Sequence, residues 1–567
     1  MGYSWHFGNT TVRNPARISE GLKALYDSPY HGNLDSKEKE IGFATLLNEL
    51  SIVNLKDATS DISSIGRKWR SCFHQLGFIT YKQSSLDDSV IDEVILRGGF
   101  TELDARNSFK LTPNGMRLIT SDSVSVQQEA MLRSLLAYEL PSIVEKSYDF
   151  DTFKPFVLIL QVIKELEQRG LEGLNKFETC IVTSFNSHQD VSNIVDKINT
   201  YRKNRSHYKG NKKKFDQQYL DLLYPNETET KRGTISKDYT DLITRYSRFT
   251  GLFQISGSRL VLNENKKDLI DLILQIEPNL LSGVSPTNYL INLWNGSALP
   301  TDNDIVQRHE TARYLGLVGR GNEIASLSLL SDDQIRVLGY ELEEEYSKLR
   351  EIEFAQRQKY EINDILNYLI KLDNPRAVVD VNIYDRPAFL EWTIWRVFLA
   401  INSLVNKPYE SRRFKVDHEF LPVGCAPGGG PDLIFEFEEY LLVVEVTLTS
   451  SSRQEAAEGE SVRRHVAKIQ LEKSELRKPV YGLFIAQSID NNTAEVFRIG
   501  VWYNGDETNF LNIVPLTIQQ LISILSQSNG QAIDHMKIKG IIDSCLIPRN
   551  TYAPTWKNEI QKIINCQ

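Results

Sequence analysis

The sequence is poor in cysteine, and the cysteines that it has are widely scattered. Five occur among 567 residues, and no two of them form a C-x-x-C pair. This pattern excludes the usual zinc-ligand spacings and a disulfide framework. A reducing compartment such as the cytoplasm suits a chain of this kind.

Long hydrophobic runs are absent as well. No apolar stretch approaches the roughly 20 residues that cross a bilayer, and residues 1–15 lack the hydrophobic core of a signal peptide. We therefore expect no membrane partner. The hydrophobic content of 41% is ample for several cores, and the length predicts about three or four domains.

Positive charge is scarce overall but concentrated in one region. A net charge of −9 argues mildly against a nucleic-acid-binding protein, because phosphate recognition relies on basic surface. Residues 201–250, however, hold 12 Lys and Arg against 6 Asp and Glu, and seven of these basic residues lie between Arg202 and Lys214. This local concentration of basic residues is compatible with DNA binding.

Residues 431–447 predict a β-hairpin that carries acids. Two short apolar runs are joined by Glu438 and Glu439, and counting outward from this turn puts Asp432 opposite Glu445. Cross-strand partners have Cβ atoms about 5 Å apart. Two carboxylates at that distance repel unless a cation lies between them or one takes up a proton. An acidic pair on an apolar face therefore predicts metal binding or catalysis.

Two predicted helices bring further candidates to this hairpin. If residues 453–471 are helical, Glu458 and His465 lie on one face, seven positions apart. Residues 386–396 predict a helix with proline in its first turn and Glu391 among large apolar side chains. A carboxylate on a core-facing helix indicates a functional role.

The order of these acids resembles the PD-(D/E)XK nuclease core, with Thr447 at the position where that pattern has lysine. Several segments resemble one branch more closely, the AlwI, MlyI and PleI group of type IIS restriction endonucleases and their nicking relatives. The segments are LEWTIWR at 390–396, GPD at 430–432, VEVTLTS at 444–450, the run from Gln454 to His465, TRYSRFTGLF at 244–253, RLVLN at 259–263 and DLIDLIL at 268–274. By position, five residues match the active site of the group: Glu391, Asp432, Glu445, Glu458 and His465.

The resemblance implies a bacterial, sequence-specific type IIS endonuclease that acts on double-stranded DNA. It would hydrolyse phosphodiester bonds a few base pairs outside a short asymmetric site of about five base pairs. One catalytic site cleaves one strand, so full cutting would require a second copy of the chain or a small catalytic subunit. The close alternative is a strand-specific nicking endonuclease or the large subunit of a heterodimer. An alternative of another class is a non-catalytic DNA-binding or targeting protein whose nuclease domain is dead.

Hydrolysis of this kind needs a cation, and the oxygen ligands present suit Mg²⁺. The expected ligands are Asp432, Glu445, Glu391 and the carbonyl of Val446. Glu458 would hold a second ion or ordered water. Because Thr447 carries no charge, we expect His465 to act in place of the motif lysine, with Lys468 as a substitute. The alternative for His465 is a structural histidine bonded to Glu458.

The fold class expected is multidomain. The N-terminal half is α-rich with two winged-helix-like DNA-binding units, and a helical linker leads to a C-terminal α/β PD-(D/E)XK nuclease domain with a mixed sheet. The expected parts are residues 1–125, 126–279, 280–355 and 356–567.

Each predicted winged-helix unit has a basic helix. In the first, residues 66–80 form a helix that ends at Gly77, and residues 109–119 form a strand, a turn and a helix. In the second, a hairpin turns at Gly257-Ser258 within residues 244–274. The candidate DNA-contacting residues of the two helices are Arg67, Lys68, Arg70, Arg245 and Arg248. Protein docking is the alternative function of such units.

Residues 201–215 interleave aromatic with basic side chains and predict a flexible loop that contacts DNA phosphates. The candidate residues are Arg202, Lys203, Arg205, Lys209, Lys212, Lys213 and Lys214. A solvated charge run is the alternative.

Overall fold

A computed structural model describes residues 4–566, with the exception of 51, 54, 56–60, 81–87, 99–108, 122, 146–147, 284, 380, 382, 384, 402, 451–452 and 528–533. The chain forms two compact units, Met1–Glu343 and Glu344–Gln567. The predicted start of the catalytic domain at residue 356 lies inside the second unit. The finer boundaries proposed within the first unit remain predictions.

The first unit is mainly helical. Its helices are α1 (Ala16–Tyr26), α2 (Lys37–Glu49), α3 (Ser63–Gln75), α4 (Asp88–Gly98), α5 (Pro113–Ile119), α6 (Val124–Ala137), α7 (Pro155–Gln168), α8 (Glu178–Val182), α9 (Val191–His207), α10 (Lys212–Leu223), α11 (Glu229–Thr234), α12 (Thr240–Phe249), α13 (Lys267–Ile276), α14 (Pro286–Asn295) and α15 (Asp304–Leu317). The next helix, α16 (Asp332–Arg357), contains the point at which the two units divide. A small antiparallel sheet has the order β1 (Leu174–Asn175), β3 (Arg259–Leu262), β2 (Phe253–Ser256).

The hairpin predicted in residues 244–274 is confirmed. Strands β2 and β3 pair antiparallel, with Ser256 opposite Arg259. Gly257 and Ser258 both have positive φ, at 52° and 64°, as a tight two-residue hairpin turn requires. Helices precede and follow the hairpin, as the sequence pattern predicted.

In its described residues, the first predicted unit has less strand than expected. Helix α3 ends before Gly77, whose φ is 72°, so the predicted helix end is confirmed. The expected strand from residue 109 is a single bridge between Ile79 and Leu111, because Thr112 then caps α5 with its hydroxyl and Pro113 occupies the first turn.

The second unit surrounds a mixed sheet. Its order is β4 (Leu433–Glu436), β5 (Leu441–Thr447), β6 (Val480–Ala486), β9 (Asn512–Thr517); β4 is antiparallel to β5, and the other pairs are parallel. A separate hairpin joins β7 (Val501–Asn504) to β8 (Glu507–Phe510). The helices are α17 (Ile362–Asp373), α18 (Arg386–Leu399), α19 (Pro408–Ser411), α20 (Glu460–Glu472), α21 (Asn491–Ile499), α22 (Ile518–Ser526), α23 (His535–Leu546) and α24 (Ala553–Asn565). Every residue of β6 is buried, so both faces of the sheet are covered and the predicted mixed, covered sheet is confirmed.

The prediction of a loop at residues 201–215 is wrong. Residues 201–215 are helical on both sides of a short turn, because α9 continues to His207 and the Asn211 side chain caps α10 through the amide of Lys213.

Candidate active site and DNA-contacting residues

The hairpin of β4 and β5 has the register that the sequence predicted. Leu433 pairs with Val444 and Glu436 with Leu441, which sets Asp432 opposite Glu445 at the open end of the hairpin. The amide of Val446 donates a hydrogen bond of 2.9 Å to Oδ2 of Asp432. Strand pairing therefore fixes both carboxylates on one side of the sheet.

Glu445 and His465 are in direct contact. Nδ1 of His465 lies 2.5 Å from Oε1 of Glu445. His465 is only 5% exposed and Glu445 only 8% exposed. His465 projects from α20, a helix whose buried face packs on β5 and β6. Its other ring nitrogen, Nε2, is buried without a partner among the described residues. The histidine thus binds Glu445 rather than Glu458, the partner that its purely structural alternative required.

Glu391 approaches the pair from α18. The carboxylate of Asp385 caps this helix through the amide of Ala388, and Glu391 is 6% exposed on its buried side. Its Oε2 accepts a hydrogen bond of 2.6 Å from the amide of Ala426, and the thiol of Cys425 donates to the same carboxylate. Glu391 is therefore held mainly by the loop that precedes the hairpin.

Glu458 lies in a π-helical turn, Glu455–Gly459, that leads into α20. The hydroxyl of Thr447 donates to its carboxylate, so the residue at the position of the motif lysine binds an acid of the site. Gln454 anchors this turn, since its side-chain amide donates to the carbonyls of Thr449 and Ser488 at 2.6 and 2.8 Å.

Burial and mutual repulsion raise the pKa of the acids in this cluster. Burial raises the pKa of Glu445 to about 8, and the charge of Glu458 adds to this. The pKa of Asp432 is well above its usual range because of burial and then Glu445, and that of Glu391 because of burial and then Asp432. Burial likewise raises the pKa of Glu458. The cluster is short of positive charge.

A divalent cation would relieve this repulsion, and the donors suit Mg²⁺, which keeps several waters and binds through one or two carboxylates. Asp432 and Glu445 are the carboxylates brought together. Among the residues that the structure describes, no group of three or more His, Cys, Asp or Glu side chains already has the spacing of a metal site. This agrees with the contacts of Glu391, whose carboxylate is bound to main chain.

Three residues of the site were not predicted from the sequence: Cys425, Gln454 and Arg413. Arg413 lies close enough to the acids that its charge lowers the pKa of both Glu445 and His465. The glycine run Gly428–Gly430 was the available signal, since three successive glycines before a strand indicate that another group approaches the backbone closely.

The first group of predicted DNA contacts divides by exposure. Arg67 and Lys68 are exposed on α3. Arg70 is turned inward, with its guanidinium 2.9 Å from the Glu40 carboxylate and 2.8 Å from the carbonyl oxygen of Leu34.

The second group divides in the same way. Arg202 binds the buried carboxylate of Glu178 at 2.8 Å, and Arg205 binds Asp216 at 2.7 Å. The exposed members of this group are Lys203, Lys209, Lys212, Lys213 and Lys214. We call these five lysines the basic turn, because they surround the turn between α9 and α10.

The arginines of α12 are not presented to solvent. Arg248 is 7% exposed, and Arg245 pairs with Asp241 at 2.7 Å one helical turn earlier. Their positions favour a role in holding the helix against the rest of the unit, in contrast to the predicted contact with bases.

Comparison with known proteins gives the class of the molecule. Residues 74–524 match the model of a family described as AlwI restriction endonuclease. The chain is therefore a restriction endonuclease, a site-specific deoxyribonuclease. More narrowly, it belongs to the AlwI restriction endonuclease family, because the match covers most of its length, and the predicted resemblance is confirmed.

Solved structures give weaker likenesses. The small subunit (R.BspD6I2) of the heterodimeric restriction endonuclease R.BspD6I is 26% identical, with 36% of this chain and 98% of that chain covered and a TM-score of 0.29. The binding domain of the BpuJ1 endonuclease, in complex with pyrene- and phenanthrene-modified DNA, is 14% identical. The match covers 48% of this chain and 88% of that chain, with a TM-score of 0.30. The curated proteins include no match. In the described residues, no helix has the length and apolar character of a membrane span.

Proposed function

We propose that the chain is a Mg²⁺-dependent type IIS endonuclease of the bacterial cytoplasm, which binds a short asymmetric site and cuts a few base pairs to one side. The observation that carries this proposal is the buried acidic pair, Asp432 and Glu445, with His465 in contact with Glu445, in a chain of a restriction endonuclease family. Such a cluster is stable at neutral pH when it binds a cation or protons.

In this mechanism Asp432 and Glu445 would hold the cation, and the carbonyl of Val446 would be a further ligand. Bound there, Mg²⁺ supplies charge neutralisation for the phosphate and lowers the pKa of water. The amide of Val446 orients the Asp432 carboxylate. The expected role of Glu391 and Glu458 is to hold ordered water or a second ion at the edge of the site.

His465 acts as the general base. When Nδ1–H donates to Glu445, Nε2 carries the lone pair, and this atom has no partner in the described part of the chain. Burial, followed by the charges of Arg464 and Arg413, lowers the pKa of His465 to about 4, so the ring is neutral at pH 7. Nε2 takes a proton from the attacking water, the new P–O bond forms, and the bond to the 3′ oxygen breaks, with that oxygen taking a proton from solvent.

The domain types follow from the same proposal. What supports a PD-(D/E)XK nuclease fold for the second unit is its sheet, an antiparallel hairpin extended by parallel strands with acids at the end of the hairpin. In the first unit, the hairpin of β2 and β3 with α12 would serve as one winged helix, and the region of α3 and α5 would serve as the other. Arg67, Lys68 and the basic turn support DNA contact, because their side chains are exposed and cationic.

One catalytic site cuts one strand of a duplex. We therefore propose that double-strand cleavage uses a second copy of the chain or a small catalytic subunit. Without either, the enzyme nicks one strand.

A supercoiled-plasmid assay tests the proposal. Incubation with Mg²⁺ should convert supercoiled plasmid to a discrete product, and EDTA should prevent this. A linear product indicates double-strand cutting and an open circle indicates nicking. Plasmid that stays supercoiled at all enzyme concentrations in Mg²⁺ would favour a DNA-binding protein with a dead nuclease domain. Run-off sequencing of the products maps the recognition site and the cut position.

A further inference from the structure

Arg413 is a half-buried arginine whose guanidinium is weakly held. Its two contacts are long ones to main-chain oxygens, 3.5 Å from Nη1 to Pro431 and 3.3 Å from Nη2 to Gly428. Within the described part of the chain, no carboxylate lies at ion-pair distance from it. Much of its hydrogen-bonding capacity is therefore available to a ligand.

Two other arginines of the second unit, Arg396 and Arg412, are bound to acids. Arg396 binds Glu361 and Asp364 at 2.7 and 2.8 Å. Arg412, the immediate neighbour of Arg413, binds Glu351 through two of its guanidinium nitrogens, at 2.7 Å each. An arginine beside a cluster of buried carboxylates that binds none of them is unusual, since pairing would offset the burial of both charges.

The backbone holds Arg413 beside the acids. Its amide donates to the carbonyl of Asp432 at 3.3 Å, and Arg412 forms a β-bridge with Leu433, the first residue of β4. These two contacts fix the segment that carries Arg413 against the hairpin, and the ion pair of Arg412 with the 2% exposed side chain of Glu351 ties the same segment to α16. The guanidinium is thus positioned and yet little bonded.

A glycine keeps space for this side chain. A Cβ atom added to Gly430 would lie 2.5 Å from Nη1 of Arg413, which is closer than real Cβ contacts allow. Any larger residue at position 430 would displace the guanidinium. The GPD segment therefore supplies the catalytic aspartate and also the opening through which Arg413 reaches the site.

We propose that Arg413 binds the scissile phosphate and supplies the positive charge that Thr447 cannot supply at the position of the motif lysine. The inference rests on the proposed function, and it concerns phosphate binding by the chain itself. A guanidinium can donate two parallel hydrogen bonds to phosphate oxygens and remains charged at all working pH values. It would stabilise the charge that develops on the phosphate oxygens as water attacks, and it would take no proton.

Single-turnover cleavage by Arg413→Ala and Arg413→Lys tests this proposal, on a duplex that carries the site mapped by run-off sequencing. Loss of one preorganised donor in a transition state costs roughly 100-fold or more in rate, and we expect a loss of that size for Arg413→Ala. Arg413→Lys should recover part of the rate, because lysine restores charge without the planar fork. Guanidinium ion at millimolar concentration should raise the rate of Arg413→Ala at least about tenfold and leave wild type unchanged.

The matched control is Lys562→Gln, which removes a positive charge from an exposed side chain of α24 that pairs with Glu559. It should cut within about threefold of wild type. Retention of wild-type rate by Arg413→Ala would overturn the inference. So would a lost rate with a lowered melting temperature and no rescue by guanidinium, which would mark a structural role. If wild-type protein itself fails to cut, the proposed function fails, and this outcome is distinct from either of the others.

Discussion

Replacement of His465 by asparagine is the sharpest test of the proposed base. The ring is 5% exposed and binds Glu445 at 2.5 Å, and its Nε2 has no partner among the described residues. Asparagine can still bind Glu445 but places no basic nitrogen at the position of Nε2. A positioned general base contributes about 100- to 10,000-fold in rate, so the single-turnover rate of cleavage should fall by that factor.

The structural cost of this change should be much smaller than its kinetic cost. Even complete loss of the hydrogen bond to Glu445 would cost only about 1–3 kcal/mol, which leaves the second unit folded at 25 °C. The assay is single-turnover cleavage of the mapped duplex with enzyme in excess, accompanied by a gel shift in EDTA. Specific binding should equal that of wild type. Cleavage within about threefold of wild type would refute the assignment of His465 as base, and loss of binding would refute the separation of recognition from catalysis.

Three further predictions concern the metal, the DNA and the fold. The pKa of Glu445 is raised to about 8 by burial and then by Glu458, so below that pH Mg²⁺ must displace a proton in order to bind. In Mg²⁺ titrations of cleavage, the apparent affinity for Mg²⁺ should rise by up to about tenfold per pH unit from pH 6 to 8. An affinity that does not change with pH would contradict this. Replacing the lysines of the basic turn with glutamine should weaken DNA binding. It should also reduce the slope of log affinity against log salt concentration by about 0.9 for each phosphate that the protein no longer neutralises. Fluorescence anisotropy at several salt concentrations measures this slope, and an unchanged slope would contradict the prediction. Arg70→Ala should lower the melting temperature, because Glu40 loses its partner at 2.9 Å. Arg67→Ala should leave the melting temperature unchanged and weaken DNA binding. The opposite result, with lower stability for Arg67→Ala and weaker binding for Arg70→Ala, would contradict the roles assigned from side-chain exposure.

The part of the fold that follows from local pattern was predictable. The register of β4 and β5 follows from the two-residue turn at Glu438-Glu439 and from side-chain alternation. Strand β6 is a continuous apolar run, and Thr517 caps α22 by accepting from the amide of Gln520, so both features follow from the local sequence.

The parts that failed depend on interactions between residues distant in sequence. Residues 201–215 look like a solvated loop because they are basic and contain glycine. They are helical because Arg202 and Arg205 bind acids that lie 24 and 11 positions away. The inward turn of Arg248 cannot be predicted from its own helix for the same reason, since burial is decided by elements that pack on it.

The residues of the candidate site were predicted in part. The four acids and the histidine predicted by position converge through direct contacts or shared charge. Arg413 was missed because no motif marks it. Its position depends on the bridge from Arg412 to Leu433 and on the space at Gly430, and neither feature is visible before the chain is folded.

The central claim is that Asp432 and Glu445 together form a cation-dependent site that cuts DNA bound by the rest of the chain. Glu445→Ala tests it most directly, because Glu445 lies on β5 between the aspartate and the histidine. We expect this variant to bind the mapped duplex as tightly as wild type in a gel shift and to give no product with Mg²⁺ in the plasmid assay. A Glu445→Ala protein that still cuts would contradict the claim.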